Sequence, residues 1–353
     1  MKVAVARSSL VAVALALLFS CGDGGGDGVR ANGGGSSTAG TSHNGDPSGR
    51  ADAGAWVPPV VVPPDPRSGD EFLLSQTGLY RDIAGRELAP DLLAFEPAFT
   101  SWSDGTSKQH WLRLPKGKRI DSSDMDHWRF PAGAMLFQDL ALHGKRIETR
   151  LIMRTGPGDD DYFMGAFLWN DDDSDARFVP DGANNARSTA HDVPPASSCL
   201  ACHGGEPGRV LGFSAVQQPT VSLALLSRPP LHEFAVPGDP ATAAALGYLH
   251  GNCAHCHNPL GAALADTDMD LRLLFDDRRA SDTSAFRSAV GVPLQSFTTD
   301  PALSLRVTRG DPTESAIVVR MMARASAAQM PPLATQLADD DGIATVSAWI
   351  ERL

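Results

Sequence analysis

The chain is 353 residues long, 42% of them hydrophobic, with a formal charge of −12. That length allows more than one small domain, and the acidic balance excludes a nucleic-acid surface of the usual basic kind while suiting basic protein partners. Four of the five cysteines fall in two Cys-x-x-Cys-His patterns, and the fifth stands near the start, so no set remains for a disulfide framework.

Lys2 and Arg7 open the chain, followed by an apolar run from Leu10 to Phe19 that is too short to span a bilayer. This is the pattern of an export leader. It closes on Leu18-Phe19-Ser20-Cys21, which resembles the lipobox of bacterial lipoproteins. The resemblance implies a lipoprotein signal peptide over residues 1–20, acylation of Cys21, and attachment on the periplasmic side of the inner or outer membrane. Loss of Lys2 and Arg7 with the leader takes the formal charge from −12 to −14.

Residues 22–50 hold 11 glycines among 29 positions, with hardly an apolar side chain. Such a stretch cannot bury enough surface to offset its chain entropy. The run Val57-Pro-Pro-Val-Val-Val-Pro-Pro-Asp-Pro66 then forms a stiffer, polyproline-like spacer. Residues 21–69 therefore read as a tether, flexible first and stiff later.

From 70 to 198 the apolar period is two. Trp111–Leu114, Trp128–Phe130, Ala134–Leu142, Arg146–Arg154 and Tyr162–Trp169 read as strands separated by Gly, Pro and Asp turns. In Arg146–Arg154, Ile147, Thr149, Leu151 and Met153 share one face, and the arginines with Glu148 share the other. The pattern predicts half-buried antiparallel strands of a β-sandwich or partly open barrel, with the charged face in solvent. Asp159–Asp161 and Asp171–Asp173 bracket one strand; at the usual rise they lie too far apart to share an ion, so they read as hairpin tips.

Three segments, Ser101-Trp-Ser-Asp-Gly105, Phe130-Pro-Ala-Gly133 and Glu148-Thr-Arg150, resemble a group of exported bacterial proteins that couple a β-rich region to Cys-x-x-Cys-His motifs. The resemblance brings no activity with it.

Cys199-Leu-Ala-Cys202-His203 is the first motif, within a segment covering 199–236. Its spacing lets two thiols be joined to a c-type haem while the adjoining imidazole takes the iron. His203 is then the proximal ligand. For the opposite side of that iron His191 is the chosen ligand, carried on the Ala-His-Asp-Val-Pro-Pro run that enters the motif. Met164, Met153, His232 and an open position are the alternatives.

The second motif, Cys253-Ala-His-Cys256-His257, follows a helix signalled by Asp239-Pro240 and continuing from Ala241 to Asn252. Asp311-Pro-Thr-Glu314 predicts a capped helix running through Arg320, and Asp341 to Ile350 a C-terminal helix with Trp349 inward. The region 237–353 resembles the class I cytochrome c domain. The resemblance implies an all-α fold, haem attachment at Cys253 and Cys256, His257 as proximal ligand and Met330, ahead of Pro331-Pro332, as distal ligand. Ala245 and Leu249 depart from that family's glycine and aromatic, with Gly247 and Tyr248 nearby but out of register. Met321 and Met322 are expected in the core.

The expected cofactors are thus two covalently bound c-type haems, and the expected role is electron transfer between redox partner proteins in the cell envelope. A di-haem oxidoreductase of peroxidase type, with the first haem open, and a haem-linked ligand-binding or sensor module are the alternatives. Paired Cys-x-x-Cys is also a zinc-ribbon arrangement. The histidine directly after each pair, the leader and Met330 favour haem.

Overall fold

The computed structural model describes residues 56–65, 68–296 and 302–353; the leader, Cys21 and the glycine-rich arm lie outside the described residues. A small hairpin pairs β1 (Tyr80–Asp82) with β2 (Glu87–Leu88). The main sheet is a six-stranded antiparallel meander: β3 (Leu93–Ala94), β4 (Ser107–Arg113), β5 (Met135–Leu142), β6 (Lys145–Arg154), β7 (Tyr162–Trp169) and β8 (Ala176–Phe178), each bonded to the next in sequence. Asp159–Asp161 and Asp171–Asp173 form turns at opposite ends of β7, as the spacing predicts. Of the expected strands only Trp128–Phe130 is reduced, to a single bridge between Asp121 and Arg129.

Alternation along the strands sends side chains to two different cores. Trp111, Phe137, Leu151 and Phe167 pack with Phe72, Leu74 and Leu79 from the segment ahead of the sheet. Leu112, Leu136 and, at its edge, Ile152 point the other way and join Phe95, Trp128 and Phe130. The β-rich part is therefore sandwich-like, with both faces of its sheet covered. That double cover corrects the expected solvated face of β6: Glu148 is fully buried, and Arg150 and Arg154 are half-buried. Residues 56–65 are joined to the body by a hydrogen bond from Trp56 Nε1 to Asp91 at 3.0 Å and by Val61, which packs against the Phe72 core.

The C-terminal region is not the all-α domain that its likeness to class I cytochromes c implies. After α1 (Cys199–His203) come α2 (Pro240–Asn252), α3 (Ser284–Ala289), α4 (Ala316–Met322) and α5 (Asp340–Ile350). Between them the chain is mostly turns, short 3-10 segments and isolated bridges such as Val290 to Val307 and Leu305 to Ser315. Pro259, Gly261, Gly291, Pro293, Gly310 and Pro312 punctuate the region at short intervals, where they disfavour long helices. Nor is the region a separate body, because Leu246, Leu249, Val346 and Trp349 lie in the same core as Phe95, Leu112 and Leu136 of the sheet half. No helix among the described residues is long and apolar enough to cross a membrane.

α2 and α5 form where expected. Asp239 caps α2 by accepting from the Ala241 and Thr242 amides, and Asp339 caps α5 by accepting from the Gly342 amide at 3.0 Å. Their packing explains the departures from the cytochrome pattern. A Cβ at Gly342 would stand 2.3 Å from the Tyr248 ring, so this glycine admits the tyrosine. Gly247 and Gly251 instead face Phe99 of the sheet half, where a Cβ on Gly247 would meet the ring at 2.6 Å. The cap at Asp311 also differs. Its carboxylate accepts from the Thr313 and Glu314 amides, but α4 begins only at Ala316.

Trp349 is completely buried where α5 joins the shared core. Trp349→Ala is expected to cost about 3–5 kcal/mol in denaturant unfolding. A loss below about 1 kcal/mol would remove α5 from the core that unites the two halves.

Candidate functional site

Each Cys-x-x-Cys-His motif opens into its own cavity. The first motif forms the single turn α1, and Cys199, Cys202 and His203 line a space of about 280 Å³. The far wall comes from the buried sheet face, including Leu136, Arg150, Ile152 and Met164, and from His250 of α2. His203 Nδ1 donates to the Arg209 carbonyl at 2.8 Å, which leaves Nε2 with its lone pair. Burial lowers the pKa of this imidazole, so it is neutral and suited to a metal.

The second motif follows α2 directly. Cys253 is the helix C-cap, its amide bonded to the Leu249 carbonyl, and it lines a cavity of about 500 Å³ with Cys256 and His257. Met330 lies on the wall of this same cavity, beside Met269 and Met321. Its backbone is held by a bond from its own amide to the Arg320 carbonyl at 3.0 Å. Burial pushes the Cys253 thiol up to about 12 and His257 down to about 4, leaving both uncharged. His257 Nδ1 is buried near the Met269 carbonyl without a hydrogen bond of good geometry.

The two cavities adjoin. Trp102, Cys202, Asn252, His255, Pro331 and Leu333 line both. At this wall the ligand atoms of Cys202, His255 and Cys256 all lie within 4.8 Å of one another. Cys256 Sγ also donates to the Ala201 carbonyl at 3.2 Å. The close approach of the two thiols draws the Cys202 pKa down and pushes the Cys256 pKa up. Cys199, Cys202, Cys253 and Cys256 are all free thiols, half-buried at the cavity walls.

Both cavities carry cations in an acidic protein. Lys108, Arg150 and Arg272 line the first, and Arg306, Arg320 and Arg324 the second. Burial brings the Lys108 pKa down to about 8, so it keeps most of its charge at neutral pH. Carboxylates also line them, with Asp126 and Glu206 in the first and Asp266 and Asp339 in the second. Reduced thiols, neutral imidazoles, apolar walls and nearby guanidinium groups together fit a large flat ring that bears acid side chains. The volumes lie near or within the range of roughly 300–1,000 Å³ usual for small-molecule sites.

His191 does not serve as expected. Its ring is fully buried, with Nδ1 3.1 Å from Asp104 Oδ2 and Nε2 3.0 Å from Glu148 Oε1. Both nitrogens are engaged, so neither is presented to an iron. The run is held to β6 through His191, while its Pro194 lines the first cavity. Among the alternatives, Met153 packs in the core on the opposite face of the sheet, and His232 stacks on Phe275 with ring centroids 4.2 Å apart. Met164 does line the first cavity. Met321 is buried as expected, but Met322 is exposed.

Sequence reasoning missed His250 and His255. His250 accepts from the Leu273 amide through Nδ1 at 3.1 Å and faces the first cavity, although it sits three residues ahead of the second motif. The crowding of His250, His255 and His257 into eight positions was the available signal. Also missed was the brace formed by Trp102 and Asp104. The Trp102 amide donates to Asn252 Oδ1 at 2.6 Å, while Asp104 Oδ1 accepts from the amides of Gln336 and Leu337 at 2.6 and 2.8 Å. It ties the loop after Met330 to the sheet half.

The brace makes a pH prediction. Burial alone would lower the His191 pKa, but hydrogen bonds to Asp104 and Glu148 raise it above the ordinary 6.5. Burial would raise both carboxyls. His191 and the two loop amides hold Asp104 below 3.8, while Arg150 and His191 hold Glu148 below 4.5. The histidine's contribution is complete below 6.5 and is lost as pH rises through its folded value; the carboxylates' contributions are complete above 4.5 and are lost as pH falls through theirs. His191→Gln should therefore cost about 3–5 kcal/mol near pH 5.5, with a smaller penalty at alkaline pH. Thermal melts across pH check this, and a penalty that does not vary with pH would refute the ion cluster.

Compared with known proteins, the chain matches no family model, no curated protein and no solved structure.

Proposed function

We propose that this chain is a two-haem c-type electron carrier of the bacterial cell envelope, tethered by lipid at Cys21 and exchanging electrons with redox partner proteins. The observation that carries the reading is the pairing of each Cys-x-x-Cys-His motif with its own cavity, the second shared by His257 and Met330. When bound, the group supplies a one-electron iron couple. The remaining roles belong to the chain's residues. Cys199 with Cys202, and Cys253 with Cys256, retain the cofactor covalently in a compartment where a lost one is not recovered.

His203 and His257 offer neutral imidazoles, and the Arg209 carbonyl fixes the orientation of the first. Met330 would offer a thioether at the second site, which would favour the reduced state relative to a second imidazole. Met164 and His250 are the candidate partners for His203, since both line its cavity. Arg324, whose guanidinium meets only main-chain carbonyls, suits an acid side chain of the ring in the second cavity, while Arg150, Arg272 and Arg306 are paired with Glu148, Glu206 and Asp268.

A thiophilic divalent cation is the second reading, favoured by the approach of Cys202, His255 and Cys256. It leaves Cys199, Cys253, His203, His257 and the two cavities without a role. Protein matured in a periplasm, examined by mass spectrometry and a haem-stained denaturing gel, is expected to carry two covalent haems. A mass without haem, together with one equivalent of zinc, would establish the second reading.

Met330→Ala should abolish the weak sulfur-to-iron band in the near infrared and admit cyanide to that iron. Met321→Ala should cost stability and leave the band in place. Survival of the band in the Met330 variant would overturn the ligand assignment.

A further inference from the structure

The two motifs touch through backbone as well as side chains. A Cβ on Gly205, two residues beyond His203, would stand 2.7 Å from the His255 carbonyl oxygen and 2.8 Å from Gly261 Cα. A Cβ on Gly261 would meet the Cys256 carbonyl oxygen at 2.0 Å. Gly205 thus lets the segment after the first motif lie against the second motif, and Gly261 lets the turn after the second motif fold tightly onto its own Cys256. Their side chains then meet at Cys202, His255 and Cys256, within 4.8 Å. Cys202 and Cys256 are the second cysteines of their motifs, so the same edge of each attachment site faces the other.

We propose that the two attachment sites form one coupled redox pair, joined through Cys202, His255 and Cys256, and not two independent relays. This rests on haem attachment at both motifs. With a haem at each motif, the pair would take two electrons singly from an external one-electron reductant. Charge added at one site is felt at the other, because neighbouring like charges in a poorly polarisable interior interact strongly. The steps then belong to the pair. The first electron would make the second harder to add, so the half-reduced form would be a defined species.

Frozen-solution electron paramagnetic resonance of the full-length, periplasm-matured protein tests this, after mass spectrometry has counted the haems. With two haems present, the fully oxidised spectrum should be broadened and should depart from the sum of two isolated signals. Titration with dithionite to one electron should restore a sharp isolated signal. Two haems giving simple, additive spectra at every stage would overturn the coupling and leave the electron-carrier reading intact. A protein without haem would overturn both.

Discussion

Asp104 is a carboxylate with no exposure to solvent, and much of the arrangement around the cavities follows from how its charge is matched. One oxygen accepts from the Gln336 and Leu337 amides, and the other faces His191. His191 passes the contact to Glu148 on β6, which is neutralised by Arg150 at the wall of the first cavity. An unmatched charge at this depth would cost several kcal/mol, so the members are held together or not at all. The chain of contacts runs from the first cavity to the loop that carries Met330. Rigid placement of that loop thus depends on residues of the sheet half.

The same logic accounts for the mixed architecture of the C-terminal region. An autonomous helical domain would enclose its cofactor with its own helices. Here α2 supplies the second motif on one end and His250 to the first cavity on another side, while Phe99 of the sheet half packs on Gly247 and Gly251. One helix therefore serves both cavities, and the sheet forms the far wall of the first. Turns and bridges suffice for the rest because the sheet half contributes the core that additional helices would have provided.

Local features were legible in the sequence wherever one element decided them. The strands β4 to β7, the capped start of α2, the inward Trp349 and the acidic turns around β7 all follow from periodicity and caps. The two motifs themselves stand out in the sequence, and the nearness of Met330 to His257 across one cavity agrees with the pairing expected of them. What escaped depends on contacts distant in sequence. The polar face of β6 has the alternation of a solvated strand, and only the tertiary cover buries Glu148 beside a half-buried Arg150. His191 was misassigned for the same reason, since nothing near it in sequence announces Asp104 or Glu148. The likeness to a helical cytochrome domain rested on the ends of the region and was silent about the broken stretch between them.

The central claim is that each motif's cavity holds one iron, bound through the histidine of that motif. Anomalous diffraction from crystals of the periplasm-matured protein, collected at the iron and zinc absorption edges, tests it most directly. Two iron peaks are expected, one in the cavity lined by His203 and one in the cavity shared by His257 and Met330. A single zinc peak among Cys202, His255 and Cys256, with no iron in either cavity, would contradict it.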